Sequence, residues 1–160
     1  MRLLRNLAFY FAFYLGSLLI TSASLAVLPF SVEAFRRQGR NWSQWQRWCL
    51  THLLGCEIVL EGGPLAEPVL YAMKHESFFE AIDTPALFDC PSVFAKQELF
   101  SIPLWGRAAA AFGLVPVERN AGARALMTMI RSAKALAADG RPLVIFPEGT
   151  RVPHGEKREL

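Results

Sequence analysis

Between positions 74 and 80 the chain reads Lys74-His75-Glu76-Ser77-Phe78-Phe79-Glu80, a histidine and a carboxylate separated by four residues. A neutral imidazole accepts a hydroxyl proton near neutral pH. A carboxylate on its second ring nitrogen fixes the tautomer and stabilises the imidazolium that forms. Such a pair is machinery for moving an acyl group onto an alcohol. On one ideal helix, residues five apart are about 140° apart around the axis, so the two side chains meet only if His75 lies before the first turn. Asp83 is the alternative carboxylate if the loop bends differently. Two other chemistries are disfavoured. Ser77 has no Gly-x-Ser-x-Gly elbow around it, and position 79 is Phe where a zinc-protease helix requires its second histidine. Phe78 and Phe79 are read as packing the helix rather than touching substrate.

Two further segments add polar groups. Phe146-Pro147-Glu148-Gly149-Thr150-Arg151 puts an acid, a flexible glycine, a hydroxyl and a guanidinium in one turn. Arg151 can fork a phosphate through two parallel N–H donors. In Gly113-Leu114-Val115-Pro116-Val117-Glu118-Arg119, Arg119 leaves a strand and precedes a helix start with Asn120 as candidate N-cap. A helix amino terminus beside an arginine is an anion site. In isolation Arg119 reads instead as a surface partner of Glu118. His52 and His154 have no partners at informative spacing and are read as structural or solvated.

The elements that must position these groups are short apolar runs at Val69–Met73, Val93–Ala95, Leu114–Val117 and Leu143–Phe146. Their two-sided apolar character predicts a parallel sheet covered by helices. Between the last two, Ala125, Leu126, Met129, Ile130, Ala133, Leu136 and Ala137 recur at helical spacing, with Gly140 as terminator. The fold class is therefore α/β, a mostly parallel sheet flanked by helices. Its functional residues are expected at the carboxyl ends of the strands.

The amino-terminal third is different. Leu7 to Leu28 holds no charge and is long enough to cross a bilayer, which takes about 20 helical residues. Its serines, threonine and tyrosines leave open a helix that lies in the membrane instead. A signal peptide is disfavoured because the stretch is long and basic residues follow it closely. Trp42, Trp45, Trp48, Cys49 and His52 predict an amphipathic helix over Trp42–Leu54, its stripe facing either the membrane interface or the domain core. Of the net charge of +3, residues 1–40 carry +4 from five arginines against Glu33, and the rest of the chain carries −1. Arginines around an apolar run suit anionic head groups, so the basic pI near 9.0 gives little support to a nucleic-acid partner. Three cysteines, Cys49, Cys56 and Cys90, lack metal-site or disulfide-framework spacing and are read as reduced thiols.

Together the three polar segments resemble the glycerolipid acyltransferases of the 1-acyl-sn-glycerol-3-phosphate acyltransferase type. The blocks of that family run Asn-His-x-x-x-x-Asp, Gly-x-x-x-x-x-Arg and Phe-Pro-Glu-Gly-Thr-Arg-Ser, in that order. Lys96, Glu98, Leu99, Pro103 and Gly106 look like the Lys-x-Glu-Leu stretch between the first two blocks. Lys74 stands where the family often has asparagine, and Glu80 where it has aspartate. The resemblance implies that His75 is the base and Glu80 its partner, with no metal. Arg119 would bind the acceptor phosphate with Arg151 nearby, in a pocket shaped by Glu148, Gly149 and Thr150. It further implies a lysophospholipid acceptor, an acyl-carrier-protein (acyl-ACP) or acyl-CoA donor as co-substrate with no cofactor, contact with membrane lipids, and no nucleic acid. Residues 1–54 are expected to anchor the chain. Residues 55–160 would form the α/β domain without the family's fourth, carboxyl-terminal block. The expected location is the cytoplasmic side of a cell inner membrane. Two alternatives stand: acylation of another lysolipid or of glycerol-3-phosphate, and an inactive lipid-binding module.

Overall fold

Leu-Val-Ile at positions 143–145 forms a strand paired on both sides, and that pairing organises the sheet. In the computed structural model, which describes residues 2–65, 67, 69–118 and 122–157, the strands are β1 (Leu70–Ala72), β2 (Ser92–Lys96), β3 (Val115–Val117) and β4 (Leu143–Ile145). Their order is β1-β4-β2-β3 and every pairing is parallel, as the apolar runs predicted. Central β4 places Val144 at 0 % exposure against Phe88 and Val93, with Tyr71, Met73, Leu87, Leu114 and Phe146 around them. Because all strands run one way, their carboxyl ends share one edge of the sheet.

The connections are helical: α3 (Phe79–Leu87), α4 (Trp105–Phe112) and α5 (Gly122–Ala138). The last is the expected crossover helix, closed by Gly140 at φ +74°; its candidate cap Asn120 lies outside the described residues. Sequence reading missed Arg141. This guanidinium, 8 % exposed, donates to the carbonyls of Cys90, Pro91 and Phe112 and so ties three connections together. Gly113, at φ +97°, leaves it room, since a Cβ there would fall 2.1 Å from the arginine.

Two amino-terminal helices, α1 (Arg2–Val27) and α2 (Val32–Cys49), form an antiparallel hairpin. Ser31 caps α2 by accepting from the Ala34 N–H at 3.1 Å, and α2 runs on through a wide turn at Leu50–Leu54 to Gly55. The helix expected from Trp42 thus begins ten residues earlier. Gly39 and the flanking arginines hid its start, and the glycine is there because the Phe112 ring occupies its Cβ space at 2.5 Å. Trp42 and Trp45 pack within the protein, but on α1 rather than on the domain core expected. Their ring N–H groups donate to Ser17 Oγ and Ala12 O on α1 at 2.8 and 3.2 Å, and Trp45 lies against Gly16. Trp48 remains exposed, stacked on Trp45 and His52. Near the other end of α1, Arg5 donates to Leu53 O at 2.8 Å, so the two helices stay paired along their length.

The opposite side of α2 faces the sheet domain. Ser43 donates to Ile82 O, Arg47 forks Asp83 at 2.6 and 2.8 Å, and Arg40 reaches Asp89 at 3.1 Å. Phe35 and Cys49 of α2 are buried as well. The arginines expected to meet lipid are in part ion-pair partners within the protein.

Candidate active site

One residue past β1, the Met73 N–H still bonds to Ile145 O, and the chain then crosses Lys74–Phe78 before α3 begins at Phe79. His75 therefore precedes the first helical turn and Glu80 lies within it, the arrangement their spacing demanded. His75 Nδ1 is 2.7 Å from Glu80 Oε1. The same oxygen accepts the backbone N–H groups of Glu76 and Ser77 at 2.7 and 2.8 Å, and Oε2 accepts the Ser77 hydroxyl at 2.7 Å. Aspartate is one methylene shorter; glutamate reaches back from the first turn to all of these donors.

Burial pushes the Glu80 carboxyl up, but hydrogen bonds from the Ser77 hydroxyl and amide and from His75 outweigh it and hold it below the usual glutamate range. An anionic Glu80 fixes the proton on Nδ1 and leaves Nε2 as the basic nitrogen. Among the described residues Nε2 has no hydrogen-bond partner. The Phe146 ring flanks the imidazole at 4.6 Å, tilted 35°.

The turn after β4 grips the backbone of this histidine. Glu148 Oε2 accepts the His75 N–H at 2.8 Å, and the His75 carbonyl accepts the Val152 N–H at 2.7 Å. Lys74 reaches Glu148 Oε1 at 3.2 Å and Glu156 O at 3.0 Å. The His75 N–H is the main cause of a lowered Glu148 pKa, with Lys74 adding to it. Gly149 turns the chain at φ +64°. Beyond it, Thr150 and Arg151, with Glu76 and Pro153, line an open depression of about 410 Å³.

The structure thus gathers His75, Glu80, Glu148, Gly149, Thr150 and Arg151 at one edge of the sheet, and gives Glu148 to the histidine backbone and to Lys74. Arg119 lies outside the described residues. The strand before it, β3, is three strands from β1, about 14 Å at ordinary strand spacing. Asp83 does not compete for His75; it is 3 % exposed at its side chain and is taken by Arg47. Phe78 departs from the packing role expected of it. It is 63 % exposed and carries the Arg151 guanidinium 4.2 Å from its ring centroid. His154 is solvated as expected but has a partner, both oxygens of Glu76 lying 3.2 Å from its Nδ1. Lys74 and Glu76 went unassigned in the sequence; the lysine's replacement of asparagine was the available signal. Among the described residues no three His, Cys, Asp or Glu side chains cluster to hold a metal ion.

Comparison with known proteins shows the family and the fold. A family model described as Acyltransferase matches residues 57–160. The chain is 27 % identical over 132 residues to a 1-acyl-sn-glycerol-3-phosphate acyltransferase of Pseudomonas aeruginosa, covering 81 % of this chain and 51 % of that protein. It is 30 % identical over 142 residues to a protein of the same name from Helicobacter pylori, covering 87 % and 59 %. The chain therefore spans little more than half the length of these relatives. The crystal structure of the 1-acyl-sn-glycerophosphate (LPA) acyltransferase PlsC from Thermotoga maritima shares the fold, with a TM-score of 0.73 at 23 % identity over 99 % of this chain and 66 % of that one.

Proposed function

Because the chain belongs to the acyltransferase family, we propose that it moves a fatty acyl group from a thioester donor, acyl-ACP or acyl-CoA, to the sn-2 hydroxyl of 1-acyl-sn-glycerol-3-phosphate, giving phosphatidic acid. The observation that carries this reading is the 2.7 Å bond from His75 Nδ1 to an anionic Glu80, with Nε2 unengaged among the described residues. Nε2 takes the hydroxyl proton as the alcohol oxygen attacks the thioester carbonyl. The tetrahedral intermediate expels thiolate, and the imidazolium returns the proton to sulfur. Glu80 stabilises the imidazolium between these two transfers. No covalent acyl-enzyme is needed. Arg151, and Arg119 from the second block, are assigned to the acceptor phosphate. Glu148, Gly149 and Thr150 shape the turn that presents Arg151.

Purified protein given lysophosphatidic acid and an acyl thioester is expected to release free thiol. His75→Ala should lower turnover by about 10²- to 10⁴-fold, the usual worth of a general base. Undiminished thiol release by that variant would remove His75 from the role.

We also infer that residues 1–54 hold the domain, residues 55–160, on a membrane surface. Helix α1 is 26 residues long and holds an 18-residue stretch of mean hydropathy 1.6, enough to span by length and composition. Its outer face, with Leu4, Leu7, Phe11, Leu15 and Leu18, is exposed, and its other face is covered by α2 along its length. A spanning α1 would carry Arg36, Arg37, Arg40 and Arg47 of α2 into hydrocarbon, at roughly 2.5–3.5 kcal/mol per arginine. A helix lying in the interface buries the leucine face and leaves these arginines in water. Three free thiols and a donor made in the cytosol support the cytoplasmic face of an inner membrane.

A further inference from the structure

Arg151 is held by a ring rather than by an acid. Its guanidinium carbon sits 4.2 Å from the centroid of Phe78, and among the described residues no carboxylate pairs with it. The acids around it are committed elsewhere, Glu148 to the His75 N–H and Lys74, and Glu76 to His154 and Lys74. A guanidinium stacked on an aromatic face keeps its N–H edge free, whereas an ion pair would consume the donors that fork a phosphate. The platform is itself 63 % exposed, so burial does not account for a phenylalanine there. It stands three residues after the base and two before Glu80, so one short segment sets both the base and the height of the guanidinium.

We propose that Phe78 is a positioning residue for acceptor recognition, presenting Arg151 edge-on to the phosphate monoester of the acceptor. This rests on the acyl-transfer reading above and adds to it the residue that sets preference for a phosphate-bearing lysolipid. Arg151 and Thr150 line the depression with Glu76 and Pro153, beside the histidine loop. A flat aromatic surface is what position 78 supplies. Leucine or methionine would keep the bulk without the π face, and tryptophan would enlarge that face.

The test is a double-mutant cycle on the full chain in detergent, using calorimetric titration with 1-hexanoyl-lysophosphatidic acid and, as phosphate-free counterpart, 1-hexanoylglycerol. Phe78→Leu and Phe78→Met are each expected to raise Kd for the phosphate ligand about fivefold. The same variants should change binding of the glycerol ester by less than about twofold. Phe78→Trp should restore binding, and Phe78→Leu placed in Arg151→Ala should add nothing further. Equal weakening for both ligands, or an effect of Phe78→Leu that persists without Arg151, would overturn the proposal. If Arg151→Ala weakens phosphate binding and the Phe78 variants do not, the platform alone falls. If the wild-type chain binds both ligands equally, the phosphate-acceptor reading falls with it.

Discussion

Glu80 collects four donors on two oxygens: the imidazole, the backbone N–H groups of Glu76 and Ser77, and the Ser77 hydroxyl. The Ser77 hydroxyl is the one that can be removed without touching the imidazole. Hydrogen bonds to a charged group are worth about 1.5–3 kcal/mol, so Ser77→Ala is expected to raise the Glu80 pKa and lower stability by roughly that amount. The sign follows from the direction of the shift. Carboxyls depressed by folding, here Glu80 and Glu148, contribute stability that is present above the unfolded pKa of about 4.3 and is lost as pH falls through the folded value. Melting temperature should therefore decline on acidification through this range, and in Ser77→Ala the decline should begin at higher pH. A melting profile of the variant parallel to wild type between pH 3 and 7 would contradict this. Threonine at position 77 should restore the wild-type profile.

At the scale of elements, two ion pairs join α2 to the sheet domain and differ in value because they differ in burial. Arg47 forks an Asp83 that is 3 % exposed, whereas the Arg40 and Asp89 side chains are exposed. Breaking a buried pair leaves an uncompensated charge, at about 3–5 kcal/mol, while a surface pair is worth about 0–1 kcal/mol. Arg47→Ala should thus lower the denaturation midpoint sharply and Arg40→Ala barely, as measured by urea unfolding in detergent. Similar losses for the two would show that burial does not set their worth. The same elements mark what could be read from the chain and what could not. The strands and α5 were legible because their apolar runs answer to local periodicity, and so was the His75–Glu80 pair, once a strand was seen to end just before the histidine. The start of α2 was not, since Gly39 answers to Phe112, 73 positions away, and no local rule encodes that. Nor was the acceptance of the His75 N–H by Glu148: any acid can take a backbone amide, and only the adjacency of β1 and β4 selects this one. Phe78 was misread because an aromatic beside a helix start usually packs; its partner, Arg151, comes from a different strand's end.

For the whole molecule, α2 lies between α1 and α3, and the membrane attachment proposed above takes its character from that order. The leucine face of α1 points away from α2, and the paired arginines of α2 point toward α3. Membrane attachment should then be apolar in character. Vesicle binding is expected to survive about 1 M salt, where the Debye length is near 3 Å, and to be lost in a Phe11→Asp, Leu15→Asp variant. Protease added to one side of sealed vesicles should reach the termini and loops from that side alone. Cleavage from both sides would establish a span.

The clasp on the His75 backbone joins residues far apart in the chain, since both of its partners, Glu148 and Val152, follow β4. A polypeptide emerging from the ribosome makes the imidazole early and the residues that fasten it more than seventy positions later. Until that last turn docks, nothing from this clasp secures the histidine loop. Backbone support for His75 from this clasp therefore arrives only after the amino-terminal helix pair and all four strands have been made.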